Sequence, residues 1–244
     1  MSIYTIWLRE MKRFLRAKSR IITSVATPFF WLAIVGIGFS ASISIGGLNY
    51  LAFMAPGIIG ITLLFTSVFA GVSVIWERQF GFLKEILVAP ISRTSIVLGK
   101  TLGSSTVSLI NGIIVMLIAI LMGAIGFSLG IFTAIVFMIL VSIVFVSIGL
   151  IIASRMRSME GFQMVISFFI LPVFFLSGAL FPLNNVPDWM KALSYINPLT
   201  YGIDGLRGSL ISSSLFPLWL DLMALIGFSA AFILIGSYLF GKAE

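Results

Sequence analysis

Residues 131–153 run for 23 positions without one ionisable side chain. A bilayer hydrocarbon core about 30 Å thick takes roughly 20 apolar residues of α-helix to cross. In lipid every backbone N–H and C=O must find a partner within the protein, and a helix supplies those partners within its own segment. This run therefore commits the chain to a membrane. Five further apolar runs, over 21–39, 50–76, 101–124, 162–181 and 216–240, bring the expected number of spans to six. Composition agrees, with 60% hydrophobic and 9% charged residues and a mean hydropathy of +1.19, against roughly 25% charged in soluble domains. The expected fold class is an all-α integral membrane protein, one transmembrane domain over 1–244. Pro28 and Pro172 fall inside the first and fifth runs, where a spanning helix tolerates them if neighbours satisfy the freed carbonyls.

The charges decide orientation. A net charge of +7 could serve nucleic-acid binding, but the basic residues follow the loops instead. With six spans, one side holds Arg9, Lys12, Arg13, Arg16, Lys18, Arg20, Arg78, Lys84, Arg93, Lys100, Arg155, Arg157 and Lys242, and the other keeps Lys191 and Arg207. An excess of Lys and Arg marks the cytoplasmic side, so both termini are expected inside and no nucleic-acid partner is expected. Within residues 1–20, Ile3, Trp7 and Phe14 share one side of a helix and the basic residues the other, which describes a helix lying in the membrane interface against anionic headgroups. A cleaved signal peptide has the same order of basic start and apolar run, but here the basic part is long and amphipathic and the run is long enough to span.

With no Cys and no His, the chain has no disulfide, no thiolate or imidazole metal site and no His-based nucleophile relay. No catalytic, cofactor-binding or metal-ligating set is expected in it. Among the apolar runs, ionisable groups fall only at the ends, as at Asp221, whereas proton- or sodium-coupled carriers place acids inside. Energy is expected to come from elsewhere.

The loop over 77–93 is where a partner could take hold. Phe80, Leu83 and Leu87 repeat on one helical face, Glu77, Arg78, Lys84 and Glu85 mark the others, and Pro90 ends the pattern. Ser92, Thr94 and Ser95 can cap the next helix. The same periodicity also suits a connector held by lipid headgroups. Gly99-Lys100-Thr101 is not the end of a phosphate-binding loop, because that motif needs Gly where Thr94 stands and a preceding strand.

Between the last two spans, over 182–215, Val186, Trp189, Leu193 and Ile196 mark one face of a short helix. Asn197-Pro198 makes a turn, and a second short helix can run over 201–210. Asp204 and Arg207 are three apart on it, near enough to pair, and Gly202, Gly205 and Gly208 permit close helix approach.

Glu77-Arg78, Gly81, Glu85, Leu87, Pro90, Ser92-Arg93, Ile96 and Gly99-Lys100 resemble the signature of the ABC-2 type permeases, membrane subunits of ATP-binding-cassette exporters. Leu176-Ser177-Gly178, Phe181-Pro182, Pro187, Trp189, Asn197 to Tyr201, Asp204 and Arg207 resemble the same family, so the likeness covers nearly the whole chain in order and spacing. It departs at Phe82 and Lys84, where family members often carry a small polar residue and an acid.

The resemblance implies a permease dimer, homomeric or heteromeric, in a prokaryotic plasma membrane. A partner P-loop ATPase would hold ATP and Mg, with no cofactor on this chain. It implies that Glu77, Arg78, Phe80, Leu83, Glu85, Leu87, Pro90 and Arg93 form the main ATPase-coupling element and that Arg155 and Arg157 belong to a second contact. It also implies that 1–20 is the family's interface helix. The outer segments would be re-entrant half-helices forming an outer gate with Trp189, Asn197, Pro198, Tyr201, Asp204 and Arg207. The cargo would be apolar or amphipathic, a drug, a lipid or a lipid-linked glycan. A secondary carrier or a lipid scramblase working without an ATPase is the competing reading.

Overall fold

A computed structural model describes residues 3–40, 44–45, 47–79, 93–156 and 158–242. The interface helix is α1, Ile3–Arg16. The first span begins as α2, Lys18–Phe30, passes through a π-helical segment, Trp31–Gly36, and ends as α3, Ile37–Ser40. A two-residue antiparallel hairpin, Ser44–Ile45 with Leu48–Asn49, turns the chain through Gly47 at φ +79°. The second span is α4, Tyr50–Val68, continued by α5, Ala70–Gln79. Asn49 caps α4 by accepting the Leu51 N–H at 3.0 Å.

The third span, α6, is Arg93–Leu121 and the fourth, α7, is Gly130–Arg155. Helix α6 starts well before the expected 101, so Lys100 is an intrahelical residue and not part of a loop. The fifth apolar segment is shorter than expected: α8, Met159–Val165, a π-helical segment, Ile166–Ile170, and α9, Leu171–Phe175. The helix leaves its axis there and turns at Gly178, φ +76°. Pro172 accounts for the π-helical stretch just before it, since its ring excludes the usual bond to the carbonyl four residues back. Among the described residues, five helices are thus long and apolar enough to cross a membrane, with Met159–Phe175 as a shorter one. The last elements are α10, Asp188–Ile196, α11, Pro198–Ile211, and the final span α12, Leu218–Lys242.

The core sits where α4, α6, α7 and α11 meet. Phe137, Met138, Val141 and Phe145 of α7 and Ile59, Leu63 and Leu64 of α4 are fully buried. Small residues set the approach of α5 to α7: a Cβ on Gly71 would stand 2.3 Å from the Gly149 carbonyl oxygen, so only glycine fits. Polar bonds add to the packing, Ser67 Oγ donating to Ser108 Oγ at 2.9 Å and Ser108 Oγ to the Leu63 carbonyl at 3.2 Å. Helix α11, placed by sequence in a loop between spans, is inserted among them, with Leu199, Ile203 and Leu206 fully buried.

Candidate functional site

Three features stand out in the bundle, and the first is ionic. Glu77 ends the second span, and its two carboxylate oxygens meet two cations. Arg9 of α1 donates to Oε1, and Lys100 Nζ of α6 lies 2.5 Å from Oε2. Lys100 is 1% exposed and Glu77 8%. Arg9 Nη2 also lies 3.6 Å from Glu10 Oε1. Buried ions are tolerated only when paired, and this arrangement ties α1, α5 and α6 together immediately before residues 80–92.

Helix α1 rests on α6 through Ile6, Glu10 and Phe14, spaced four apart and all buried. The expected apolar face of Ile3, Trp7 and Phe14 is rotated in the fold, because Trp7 turns its indole N–H to Thr106 Oγ1 at 3.0 Å. Contact is close because α6 offers glycine: a Cβ on Gly103 would lie 2.9 Å from Glu10 Cβ.

The second feature is a cavity of about 770 Å³ walled by α1, α2, α4, α5, α6 and α9. Its apolar lining includes Trp31, Phe65, Phe69, Phe174 and Phe175, with Thr62, Thr66, Ser73 and Ser104 between them. Asn111 projects from α6, its Oδ1 accepting from Ser24 Oγ at 2.8 Å and its Nδ2 donating to the Val107 carbonyl at 3.1 Å. Glu10 and Arg13 stand at the α1 end.

The third feature is the opposite end. Asn197 caps α11, accepting the Leu199 N–H at 2.9 Å and donating Nδ2 to the Val173 carbonyl at 2.7 Å, while Pro198 opens the helix. Tyr201 Oη donates to the Tyr195 carbonyl at 2.6 Å and its ring stacks on Phe216. Asp204 and Arg207 do not form the expected ion pair. Asp204 accepts the N–H groups of Leu215 and Phe216 at 2.8–2.9 Å. Arg207 Nη2 donates to the Gly178 carbonyl at 3.1 Å and the Phe53 carbonyl at 3.4 Å, and its guanidinium lies 3.9 Å over the Phe53 ring. Backbone groups from neighbouring elements outcompete the helical neighbour for each of them. Burial pushes the Asp204 carboxyl up against the pull of those two N–H donors and of Arg207, and burial brings Arg207 down to about 10. Trp189, Leu193 and Ile196 present their apolar face outward, Trp189 being 61% exposed.

Of the expected coupling residues, Glu77 faces the ionic cluster inside the chain, and Arg155 ends α7 with its side chain exposed. Arg78 lies in α5 and Arg93 opens α6. Phe80, Leu83, Glu85, Leu87, Pro90 and Arg157 lie outside the described residues. Of the residues expected at an outer gate, Asn197, Pro198, Tyr201, Asp204 and Arg207 come together on α11 and its cap, while Trp189 stands apart on α10. Arg9, Glu10 and Asn111 are not among the residues expected from sequence. The signal available for them was an acid inside a basic stretch and an amide inside an apolar run.

The family model described as ABC-2 type transporter matches residues 1–211. The chain belongs to the ABC-2 type transporter family. The permease is 32% identical over 233 residues to "Putative transport permease ycf38" of Cyanophora paradoxa, covering 88% of this chain and 79% of that one. It is 27% identical over 241 residues to "Inner membrane transport permease YadH" of Escherichia coli strain K12, covering 96% and 92%. It is 26% identical over 210 residues to "Nodulation protein J" of Sinorhizobium fredii, covering 84% and 80%. A multi-pass helical transport permease is thus shown by family and fold together.

Proposed function

We propose that this permease is the membrane subunit of an ATP-driven exporter that moves an apolar or amphipathic cargo, a drug, lipid or lipid-linked glycan, out of the cytoplasm. ATP and Mg belong to a separate P-loop ATPase, and the permease itself is not an enzyme. The observation that carries this reading is the cavity of about 770 Å³, lined by aromatic rings and hydroxyls and bounded at one end by the interface helix. A cavity of this size with few convergent polar groups suits a ligand of drug size or an acyl-bearing molecule.

The α1 side is the cytoplasmic side of this proposal, since the basic residues gather there. The segment 80–92 is the docking element for the ATPase, with Arg78, Arg93, Arg155 and Arg157 as flanking charges. Glu77 has a different part: joined to Arg9 and Lys100, it carries displacement of the docking element into α1 and the cavity wall. The outer gate is α11 with its cap and its two backbone-anchored charges. A second permease copy, identical or related, completes the transporter.

Co-purification with the candidate ATPase tests this. Wild type is compared with a Phe80→Ala, Leu83→Ala, Leu87→Ala variant, leaving Glu77 intact so that the buried cluster is undisturbed. Loss of at least about tenfold in retained ATPase is expected from removing three apolar anchors. Full retention by a variant that still reaches the membrane would remove the docking assignment, and absence of any ATPase partner would favour a carrier or a scramblase.

A further inference from the structure

Among the described residues, one acid in the cavity wall has a buried oxygen with no hydrogen-bond partner. Glu10 is 8% exposed, and its Oε1 is buried with no hydrogen-bond partner. Among the described residues, the cation paired with that oxygen is Arg9, whose Nη2 is 3.6 Å away and already bonded to Glu77. Lys100 is committed to the other oxygen of Glu77. Among the described side chains the cluster holds two acids and two cations, yet the distribution is uneven: Glu77 takes a close cation on each oxygen and Glu10 takes none within hydrogen-bonding distance. Arg13, also at the cavity, is solvent-exposed and one turn further along α1. A buried carboxylate oxygen without a donor is costly, and a donor carried in by a ligand removes that cost.

Glu10 is also held in place. Its Cβ and Cγ occupy the space that the missing side chain of Gly103 leaves, a Cβ there lying 2.9 and 3.0 Å from them. Around the same cavity stand Trp31, Phe65, Phe69, Phe174 and Phe175, whose ring faces attract a cation as well as an apolar body.

We propose that the cavity receives an amphiphile bearing a protonated amine, with Glu10 accepting the ammonium and the aromatic wall taking the apolar body. The inference rests on the cavity being the cargo path. Two sources share this chemistry, a free lipophilic amine and the ethanolamine headgroup of a phospholipid. In both, the Glu10 carboxylate turns its buried oxygen to the cavity to accept the ammonium, while the tail lies among the spans.

The test uses the full permease in nanodiscs of phosphatidylcholine, which has no N–H donor in its headgroup. The probes are a fluorescent long-chain alkylamine and its N-acetyl derivative, equal in apolar surface and different in charge. Wild type is expected to bind the amine about tenfold more tightly than the N-acetyl compound, the scale of one charge-assisted hydrogen bond. Glu10→Gln is expected to abolish the preference without weakening the N-acetyl compound, and Glu10→Asp to retain part of it. Equal binding of the two probes by wild type, a comparison that needs no variant, would overturn the proposal, as would an undiminished preference in Glu10→Gln. In that event, weakening of both probes by Phe65→Ala and Phe174→Ala would leave the cavity as a cargo site for neutral amphiphiles. If neither probe binds, the cavity reading falls together with the amine. Where the preference holds, discs containing phosphatidylethanolamine separate the sources. Displacement of the probe identifies the lipid headgroup as a ligand, and undiminished probe binding identifies the free amine.

Discussion

Glu77 has two carboxylate oxygens, and the fold sets a cation at each. The three partners differ in burial, Lys100 at 1% and Glu77 at 8% against the half-exposed Arg9, whose side chain is 36% exposed. That difference orders the effects of mutation. Glu77→Gln leaves the Lys100 ammonium buried without a counter-ion and is expected to cost about 3–5 kcal/mol of stability. Lys100→Met leaves Glu77 with Arg9 and should cost less. Arg9→Gln, in contact with solvent, should cost no more than about 1 kcal/mol. The double variant Glu77→Gln, Lys100→Met should recover most of the loss, since it removes the charge and its partner together. Unfolding of the four variants in detergent, treated as a double-mutant cycle, measures the coupling; additive losses would show that the pair is not a unit. Glu77 is conspicuous in the sequence as an acid at the end of an apolar run. Its partners are not, because Arg9 lies 68 residues away and Lys100 23, and only the packing of α1 and α6 brings them to one point.

Helix α1 is held to the bundle by its fit to α6 as much as by charge. Ile6 and Glu10 lie over Gly99 and Gly103, where a Cβ would stand 3.0 and 2.9 Å from their side chains. Gly103→Val, with two methyl groups in that space, is expected to lift α1 from α6, because overpacking a close contact typically costs about 1–3 kcal/mol. The Trp7–Thr106 bond should open with it, so the fluorescence of Trp7 in a protein retaining only that tryptophan reports the separation; an unchanged spectrum would show that α1 adapts in place. The existence of α1 is legible in residues 1–20, but which face it buries is not. Ile3, Trp7 and Phe14 form an equally good apolar side, and the choice of Ile6, Glu10 and Phe14 comes from the glycine groove opposite. The same limit applies to α11. Its position after Asn197-Pro198 is legible from cap and proline, yet its burial among the spans depends on glycines meeting α7, with Gly202 against Val141 and Gly205 against Phe137. The shortened fifth segment follows from Pro172 and Gly178, whose effect on length depends on where the neighbouring helices permit a turn.

At the scale of the molecule, the cavity runs from the α1 end, beside the ionic cluster, to α9, which is bonded to the cap of α11. Glu10 and Arg13 stand at the α1 end, while α9 contributes Phe174 and Phe175 and leads to Leu180. Asn197, by donating to the Val173 carbonyl, binds α9 to the cap of α11. In the proposed mechanism, a change transmitted through α1 would reach α11 through elements that also wall the cavity, and cargo and the ATPase would communicate through the same helices. Filling that space separates the two halves of the proposal. Thr66 of α4 is partly exposed, lines the cavity and is not a member of the Glu77 cluster. Thr66→Trp is expected to leave co-purification with the ATPase and its basal hydrolysis unchanged, while stimulation of hydrolysis by an amphipathic cargo falls by about tenfold or more. ATP hydrolysis in proteoliposomes, with and without cargo, is the measurement. Retained stimulation with an indole in the cavity would move the cargo path elsewhere. Loss of basal hydrolysis as well would mean that α4 reports to the ATPase directly, without waiting for cargo.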